Sequence, residues 1–186
     1  MDINQHSSLA YSIRLADLLK NLDYEQIDTA IELIKEKWLE GKQIITLGNG
    51  GSSLTALHFI NDWNKSIFLS KKIPFRGRSL VDNVGLIMSY GNDIDFKDIF
   101  IEQLKNILNP GDLVIAISGS GNSENVIRAV KYANEHQAST LGLCGYSGGK
   151  LKDLAQHVVW AKVDDMQLSE DIHSIFGHMV MQKLCS

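Results

Sequence analysis

The 186-residue sequence has little cysteine, no excess of positive charge and no long apolar run. Its two cysteines are too few for a disulfide framework and are typical of a protein of the reducing cytosol. A net charge of −4 argues against a general nucleic-acid binder, because such proteins are usually basic. No apolar stretch approaches the length of a membrane span, and the start of the chain lacks the basic and apolar regions of a signal peptide. These absences favour a cytoplasmic protein without a membrane or nucleic-acid partner.

Two common nucleotide-binding signatures are also missing. No glycine-rich segment has the GxxxxGK[ST] spacing of a P-loop. The segment GNGGSS at 48–53 lacks the third glycine of a dinucleotide fingerprint, and no acidic residue ends a following strand at the expected distance. A nucleotide site is therefore disfavoured.

The chain has no repeat, low-complexity segment or linker, so we expect a single domain over residues 1–186. Apolar residues at helical spacing in 8–22 and 24–40 predict an N-terminal helical pair within residues 1–40. These two helices would pack across a sheet edge or against another subunit. Strands and helices then alternate over 43–186, which predicts an α/β fold with a doubly wound, mostly parallel five-stranded sheet.

The predicted elements of this sheet follow from short apolar runs and from helical periodicity between turn residues. The strands are predicted at 43–47, 79–81, 113–117, 139–144 and 157–161. The helices are predicted at 54–64, 83–90, 96–108, 124–137, 150–156 and 165–184. A polar, basic segment at 65–75 is predicted to be a loop, and 91–96 a turn.

Two glycine- and serine-rich loops each join a predicted strand to a predicted helix, GNGGSS at 48–53 and SGSGNS at 118–123. Hydroxyls and free backbone N–H groups at a helix N-terminus can bind a phosphate. The plain alternative is a tight turn that needs glycine for its backbone. Right-handed crossovers place both loops on the same side of the sheet, so they could hold one ligand together.

A histidine and a carboxylate four residues apart follow the first loop. His58 and Asp62 lie about 40° apart on one helical face, which suits metal ligation or acid–base work, although a lone histidine there is more often structural. The last helix carries Glu170, His173 and His178. Glu170 and His178 point about 80° apart and lie about 12 Å apart along the axis, whereas the two histidines point about 140° apart. Spacing alone predicts that Glu170 and His173 form a pair on the surface. For His178, a position in the core is equally consistent with the spacing.

Four segments of the chain together resemble the sugar isomerase (SIS) domain family, and more narrowly the phosphoheptose isomerases. They are GNGGSS with the following His58-Phe59 at 48–59, GND at 91–93, GDLVIAISGSGNSENVIRA at 111–129 and HSIFGH at 173–178. The resemblance covers nearly the whole chain, including the leading helices, and implies the SIS fold. It also implies a homotetramer with active sites between subunits, which would give those helices a partner.

The resemblance implies that the two loops hold a sugar phosphate. The phosphate would contact the serines at Ser52, Ser118, Ser120 and Ser123. Asn49 and Asp93 match positions that contact the sugar, although turn and helix-cap chemistry explains Asn92-Asp93 equally well from the residues alone. The remaining members of the expected substrate site are Gly50, Gly51, Asn92, Gly119 and Glu170.

The resemblance further implies a divalent metal, zinc in many relatives, held by His58, Asp62, Glu170 and His178. By position Asp62 would be the base and His178 the acid. Three residues depart from the family pattern: Asp62 stands for glutamate, Glu170 for glutamine and Gly119 for threonine. The shorter arm of Asp62 displaces its carboxylate by roughly 1.5 Å, and such a shift matters where reacting geometry is tight.

The function expected from this resemblance is a ketose–aldose isomerase. It would convert sedoheptulose 7-phosphate to a heptose 7-phosphate through an enediol, for the synthesis of surface-glycan heptose. The alternative is a regulatory SIS protein without catalysis, one that binds a phosphosugar or the replication initiator DnaA.

Overall fold

The central sheet has five strands in the computed structural model, which describes residues 7–186 and leaves the first six residues of the expected domain outside it. The strands are β1 (Ile44–Gly48), β2 (Gly77–Ser79), β3 (Leu113–Ser118), β4 (Ser139–Cys144) and β5 (His157–Trp160). Their order is β2-β1-β3-β4-β5, and every neighbouring pair is parallel. This confirms the predicted fold class. The strand order reverses between β1 and β3, the point at which doubly wound sheets bind ligands.

Nine α-helices flank the sheet within the described residues. They are α1 (Ser8–Lys20), α2 (Tyr24–Leu39), α3 (Gly51–Asp62), α4 (Phe68–Lys71), α5 (Val84–Asp93), α6 (Ile101–Ile107), α7 (Glu124–Glu135), α8 (Gly149–Leu154) and α9 (Met166–Cys185). No helix of residues 7–186 has the length and apolarity that a membrane span requires.

Strands β1 and β3 are buried along their whole length, because helices cover both faces of a parallel sheet. Their register pairs Ile44 with Leu113 and Gly48 with Ile117. The two strands therefore end at the same level, and the loops that follow them begin side by side. Gly48 is needed here because a Cβ would lie 2.8 Å from the carbonyl oxygen of Ser52 and 2.9 Å from that of Ile117.

The two leading helices pack differently. Helix α2 buries Ile27, Ile31, Ile34 and Trp38 in the same hydrophobic core as the sheet. Helix α1 has no buried residue and is joined to α9 by polar contacts, from Tyr11 to Asp171 and from Arg14 to Asp165. Of the two predicted packing modes, α2 therefore packs within its own chain, whereas α1 leaves most of its surface uncovered by the described residues.

The predicted loop at 65–75 is wrong over most of its length. Helix α3 continues through a π-helical turn at Trp63–Ile67 into α4, and the left-handed Lys72 ends it. Trp63 and Ile67 are fully buried, four residues apart on one face. Their packing outweighs the polar and basic residues around them, on which the loop prediction was based.

Three smaller boundaries also differ from the predictions. Strand β2 lies at Gly77–Ser79, two residues before the predicted strand, and α5 continues through Asp93 into the predicted turn. The helix predicted over 96–108 is split into a 3-10 turn at Phe96–Asp98 and the shorter α6. The two residues between the pieces, Ile99 and Phe100, are buried in the core at 2% and 1% exposure.

Candidate active site

A cavity of about 520 Å³ lies at the carboxyl ends of β1 and β3. The residues that line it come from the two glycine-serine loops, the loop after β4 and the first turns of α9: Asn49, Gly50, Gly51, Ser52, Ile117, Ser118, Gly119, Ser120, Asn122, Ser123, Tyr146, Ser147, Met166 and Glu170. Nine of these lining residues belong to the predicted substrate site. The structure therefore brings both loops to one cavity, as right-handed crossovers predict.

Helices α3 and α7 begin at this cavity without a side-chain cap. The other helices of ten or more residues are each capped by their own side chain, at Ser7, Asp23, Asn83 and Asp165. Ser123 stands at the N-cap of α7, yet its hydroxyl makes no capping bond. Hydroxyls and N–H groups are therefore left for a ligand where two helix dipoles are positive.

The two loops are joined by a reciprocal pair of amides. The Asn49 amide donates to the Asn125 side-chain oxygen at 2.8 Å, and the Asn125 amide donates back at 3.0 Å. Asn125 is 2% exposed and also accepts from the backbone N–H of Val126. Asn125 was not among the residues predicted from the sequence. The available signal was its position in the first turn of the helix that follows the second glycine-serine loop.

Asn92 and Asp93 lie elsewhere. Both are exposed at the end of α5, where the Asn92 amide donates to the Asp93 carboxylate at 2.8 Å, and neither lines the cavity. The exposed apolar side chains of Met88, Ile94 and Phe96 surround them in sequence. The structure of one chain therefore does not bring this pair to the serine loops.

The second feature of the site is a cluster of His58, Asp62 and His178. Each offers one ligand atom, and these atoms all lie within 4.8 Å of one another. The Nε2 of His58 lies 3.1 Å from an oxygen of Asp62, and the rings of His58 and His178 meet edge to face with centroids 5.2 Å apart. His178 is exposed, so of its two predicted positions the structure excludes the core one.

This cluster fits a divalent metal ion. Two imidazoles and a carboxylate are a donor set that zinc accepts, and three protein ligands with an open position are typical of catalytic zinc sites. Helix α3 supplies His58 and Asp62 one turn apart, and α9 supplies His178 from the facing helix. His58 lies seven residues along α3 from Gly51, about 10 Å beyond the cavity wall.

Glu170 belongs to the cavity and not to this cluster. An oxygen of its carboxylate lies 2.7 Å from where a Cβ on Gly51 would stand, at the first turn of α3. His178 lies eight residues further along α9, about 12 Å away along the helix axis. Of the four ligands that the resemblance implies, the structure therefore brings His58, Asp62 and His178 together, and it places Glu170 beside the glycine-serine loops.

His173 is fully buried, so the predicted surface pair with Glu170 is wrong. Neither ring nitrogen has a hydrogen-bond partner within residues 7–186. Burial lowers the pKa of His173 to about 4, although the backbone of Cys144 acts in the opposite direction. The ring is thus neutral at pH 7 and serves the packing of α9 against the end of β4.

The buried His173 gives the protein a specific acid sensitivity. The pKa of about 4 in the folded state lies below the ordinary value of 6.5, so the unfolded state binds more protons between these pH values. We expect the free energy of unfolding to decrease by up to roughly 3 kcal/mol as the pH falls from 6.5 to 4. Urea titrations of the wild type and His173→Gln across this range measure it. The variant should show a flatter pH dependence than the matched exposed-site variant His136→Gln, and equal dependences would contradict the assignment.

Several cavity residues were missed by the sequence analysis. Tyr146, Ser147 and Met166 line the cavity but were not among the predicted site residues. Asn122 lies in the second glycine-serine loop and was also not among them; it lines the cavity and accepts a hydrogen bond from the backbone N–H of Lys150 at 3.2 Å. The loop after a third parallel strand ends at the same side of the sheet, which was the signal that was available.

Comparison with known proteins places the chain among sugar isomerase domains. The SIS domain family model matches residues 10–145. The probable phosphoheptose isomerase of Thermoplasma acidophilum is 32% identical over 160 residues, which cover 86% of this chain and 87% of that protein. The phosphoheptose isomerase of Clostridium acetobutylicum is 32% identical over 164 residues, covering 88% and 83%.

The fold leads to the same family. The structure of the phosphoheptose isomerase from Neisseria gonorrhoeae superposes with a TM-score of 0.86 at 27% identity, and the match covers 95% of this chain and 94% of that one. Sequence and structure thus match over 83–94% of the length of these three relatives. The chain therefore belongs to the SIS domain family, and the three relatives compared above are named as phosphoheptose isomerases, one of them as a probable one.

Proposed function

We propose that the protein is a phosphoheptose isomerase that interconverts sedoheptulose 7-phosphate and an aldose heptose 7-phosphate. The observation that carries this proposal is the arrangement of two sites along α3: a cavity built from serine loops, and a histidine–carboxylate cluster about 10 Å further on. One end can hold a phosphate, and the other can move protons. The aldose product would serve the synthesis of a surface-glycan heptose.

The phosphate end of the substrate is assigned to the serine loops. Ser52 and Ser118 are 6% and 5% exposed, so each holds its hydroxyl close to the floor of the cavity. Ser120 and Ser123 lie nearer the rim, at the uncapped start of α7. Hydroxyl and backbone donors at two helix N-termini compensate the phosphate charge without a lysine or arginine in the lining.

The proton transfer is assigned to Asp62 and His178. As base, Asp62 removes a proton from carbon 1 of the ketose and returns it to carbon 2 of the enediol, which gives the aldose. His178 donates a proton to the carbonyl oxygen at carbon 2 as the enediol forms. It then accepts the proton of the carbon 1 hydroxyl as carbon 2 is protonated, so both residues return to their starting states. The 3.1 Å contact with His58 keeps the Asp62 carboxylate oriented toward this space between α3 and α9.

A divalent metal, for which we propose zinc, would be held by His58, Asp62 and His178. When bound, such an ion polarises the substrate oxygens as a Lewis acid. A carboxylate that ligates an ion is a weaker base, so the two roles of Asp62 are separable by experiment. Metal content and turnover should therefore be measured on the same protein samples.

The proposal is tested by proton NMR with sedoheptulose 7-phosphate in D₂O, with and without added zinc. We expect the anomeric signals of an aldose to appear, with deuterium entering at carbon 2. Silence in both conditions would leave the phosphosugar-binding regulatory protein, which recovery of DnaA in a pull-down would support.

Substitution of Glu170 tests whether its carboxylate repels the phosphate of the substrate. Its carboxylate shares the cavity with the proposed phosphate, so Glu170→Gln removes a like-charge repulsion and we expect KM to fall by roughly three- to tenfold. Zinc content should stay unchanged, since Glu170 lies outside the ligand cluster. The matched control is Glu124→Gln, in the first turn of α7 but outside the cavity lining, which should leave KM unchanged. Loss of zinc from Glu170→Gln would instead show that Glu170 is a ligand.

We further propose that the protein is a homotetramer in which neighbouring copies complete each active site. Support comes from the apolar side chains that one chain leaves exposed on α1 and around α5, including Leu9 at 58%, Met88 at 67% and Phe96 at 60%. The exposed Asn92 and Asp93 lie within this second group. Light scattering should give about four times the chain mass of 20.7 kDa, whereas the chain mass itself would contradict the proposal.

We also propose that the chain forms one SIS domain and is not divided at residue 40. The support is the shared core, in which Ile34 and Trp38 of α2 pack with Ile44 and Leu113 of the sheet. A single thermal transition monitored by tryptophan fluorescence and by far-ultraviolet circular dichroism is the expected result.

A further inference from the structure

Three residues other than glycine have a left-handed backbone within the described part of the chain, and Tyr146 is the unusual one. Lys72 and Gln137, with φ of 59° each, directly follow helices α4 and α7. Helix ends are where this conformation normally occurs. Tyr146 has φ of 47° at the second position of a tight turn, which the N–H of Gly148 closes on the carbonyl of Gly145 at 2.8 Å. Glycine, asparagine or aspartate is the usual residue at such a position. A bulky residue in this region is strained, and such residues cluster at functional sites.

The backbone of Tyr146 is fixed from both sides. Its N–H donates to the carbonyl of Val163 at 3.0 Å, and its carbonyl accepts the indole N–H of Trp160 at 3.0 Å. One residue earlier, the N–H of Gly145 donates to the carbonyl of Gly119 in the second serine loop at 2.8 Å. These bonds hold the loop against the cavity, so a glycine at 146 would satisfy the backbone with less strain.

The presence of a tyrosine at position 146 must therefore be explained by its side chain, since the backbone would favour glycine. Tyr146 lines the serine-loop cavity and is half-buried there. Among residues 7–186, the hydrogen bonds of Tyr146 are those of its backbone N–H and carbonyl, and its hydroxyl makes none. The same lining contains no lysine or arginine, and it contains the Glu170 carboxylate. A phosphate in this cavity needs every neutral donor that the walls can provide.

We propose that Tyr146 is a further phosphate-binding residue, whose phenol hydroxyl donates to the ligand phosphate across the cavity from the serine loops. This inference rests on the proposed function for the presence of a phosphate ligand. It assigns the strained backbone a role, since the residue that adopts this conformation lines the cavity. The residue binds and does not react, because the phosphate lies at the far end of the substrate from carbons 1 and 2.

The test is the affinity for inorganic phosphate, measured by calorimetry on the full chain. Tyr146→Phe keeps the ring and the strained backbone and removes only the hydroxyl. Because a hydrogen bond to a charged group is lost, we expect phosphate to bind about tenfold or more weakly. The KM for sedoheptulose 7-phosphate should rise by a similar factor, with a smaller effect on kcat.

Tyr146→Gly separates function from folding. It removes the whole side chain but relieves the positive φ, so its Tm should equal or exceed that of the wild type while phosphate affinity still falls. Gln137→Gly relieves the same conformation far from the cavity and should leave phosphate affinity unchanged. Wild-type affinity in Tyr146→Phe would overturn the assignment.

The outcomes also separate this inference from the proposed function. Phosphate binding needs no turnover, so a wild type that binds phosphate without isomerising the sugar would refute the isomerase and still allow the tyrosine to be judged. A wild type that isomerises the sugar but does not bind phosphate would overturn the assignment of Tyr146 and leave the isomerase in place.

Discussion

His178→Ala is expected to lower kcat by at least a hundredfold while the protein stays folded. General acid–base groups contribute on the order of 10²–10⁴ in rate, and the variant removes the proposed acid together with one ligand of the cluster. The fold should survive because His178 is exposed on α9, between the buried Gly177 and the half-buried Met179. Turnover of sedoheptulose 7-phosphate and the Tm are the two measurements.

Two controls distinguish the proposed role of His178 as a proton donor from its proposed role as a metal ligand. His136→Ala removes another exposed histidine, one that stacks on Tyr132 at the end of α7, and should retain full turnover. Zinc content after dialysis against the metal distinguishes the two roles, since His178→Ala with zinc retained and turnover lost would assign His178 to proton transfer. Added imidazole should then restore part of the rate. Full activity of His178→Ala would remove the proposed mechanism.

Gly177→Ala should damage the protein more than any other single methyl group we consider. A Cβ on Gly177 would stand 2.1 Å from the Cε1 of Phe59, and Phe59 is stacked on Trp63 with ring centroids 4.7 Å apart. The Trp63 indole N–H donates to the Gly177 carbonyl at 3.0 Å, so the ring system has no room to withdraw. We expect α3 and α9 to be pushed apart.

The expected cost of that overpacking is roughly 2–4 kcal/mol of unfolding free energy, or a decrease of about 5–10 °C in Tm. Turnover should fall at least tenfold, because His178 is carried away from His58. Gly85→Ala is the matched control: it adds a methyl group to the exposed helix α5, where the nearest atom is 3.4 Å away, and should stabilise by about 0.5–1 kcal/mol. Adding Phe59→Leu to Gly177→Ala should recover part of the loss, and a fully stable, active single variant would contradict the packing argument.

The sequence was sufficient for the fold and the place of the site. Apolar runs followed by glycine-serine loops predicted the parallel sheet and the common side of both loops, since crossover handedness leaves one arrangement. His58 and Asp62 could be paired from their spacing, because helical geometry fixes residues four apart. These inferences depend on local periodicity, which a single chain displays directly.

The remaining features depend on packing between distant elements, which periodicity does not encode. The burial of His173 follows from how α9 rotates against β4, and the same rotation places Glu170 at the cavity and His178 at the cluster. The π-helical turn at Trp63–Ile67 follows from two side chains entering the core. The parallel sheet places the loop after β4 on the side of the cavity, but hydrogen bonds of the Tyr146 backbone to Trp160 and Val163 determine which residue of that loop lines it.

The two reciprocal hydrogen bonds between the amides of Asn49 and Asn125 have a consequence for ligand binding. Because two hydrogen bonds already lock the loops together in the free protein, the cavity is preorganised and its walls need little ordering when a molecule enters. Little of the binding free energy of a phosphosugar is then lost in ordering the loops, and the loops do not have to close before the ligand binds. The shape of the cavity can therefore guide inhibitor design. A phosphate mimic would bind between the N-termini of α3 and α7, and the inhibitor would be extended along α3 toward His58 and His178.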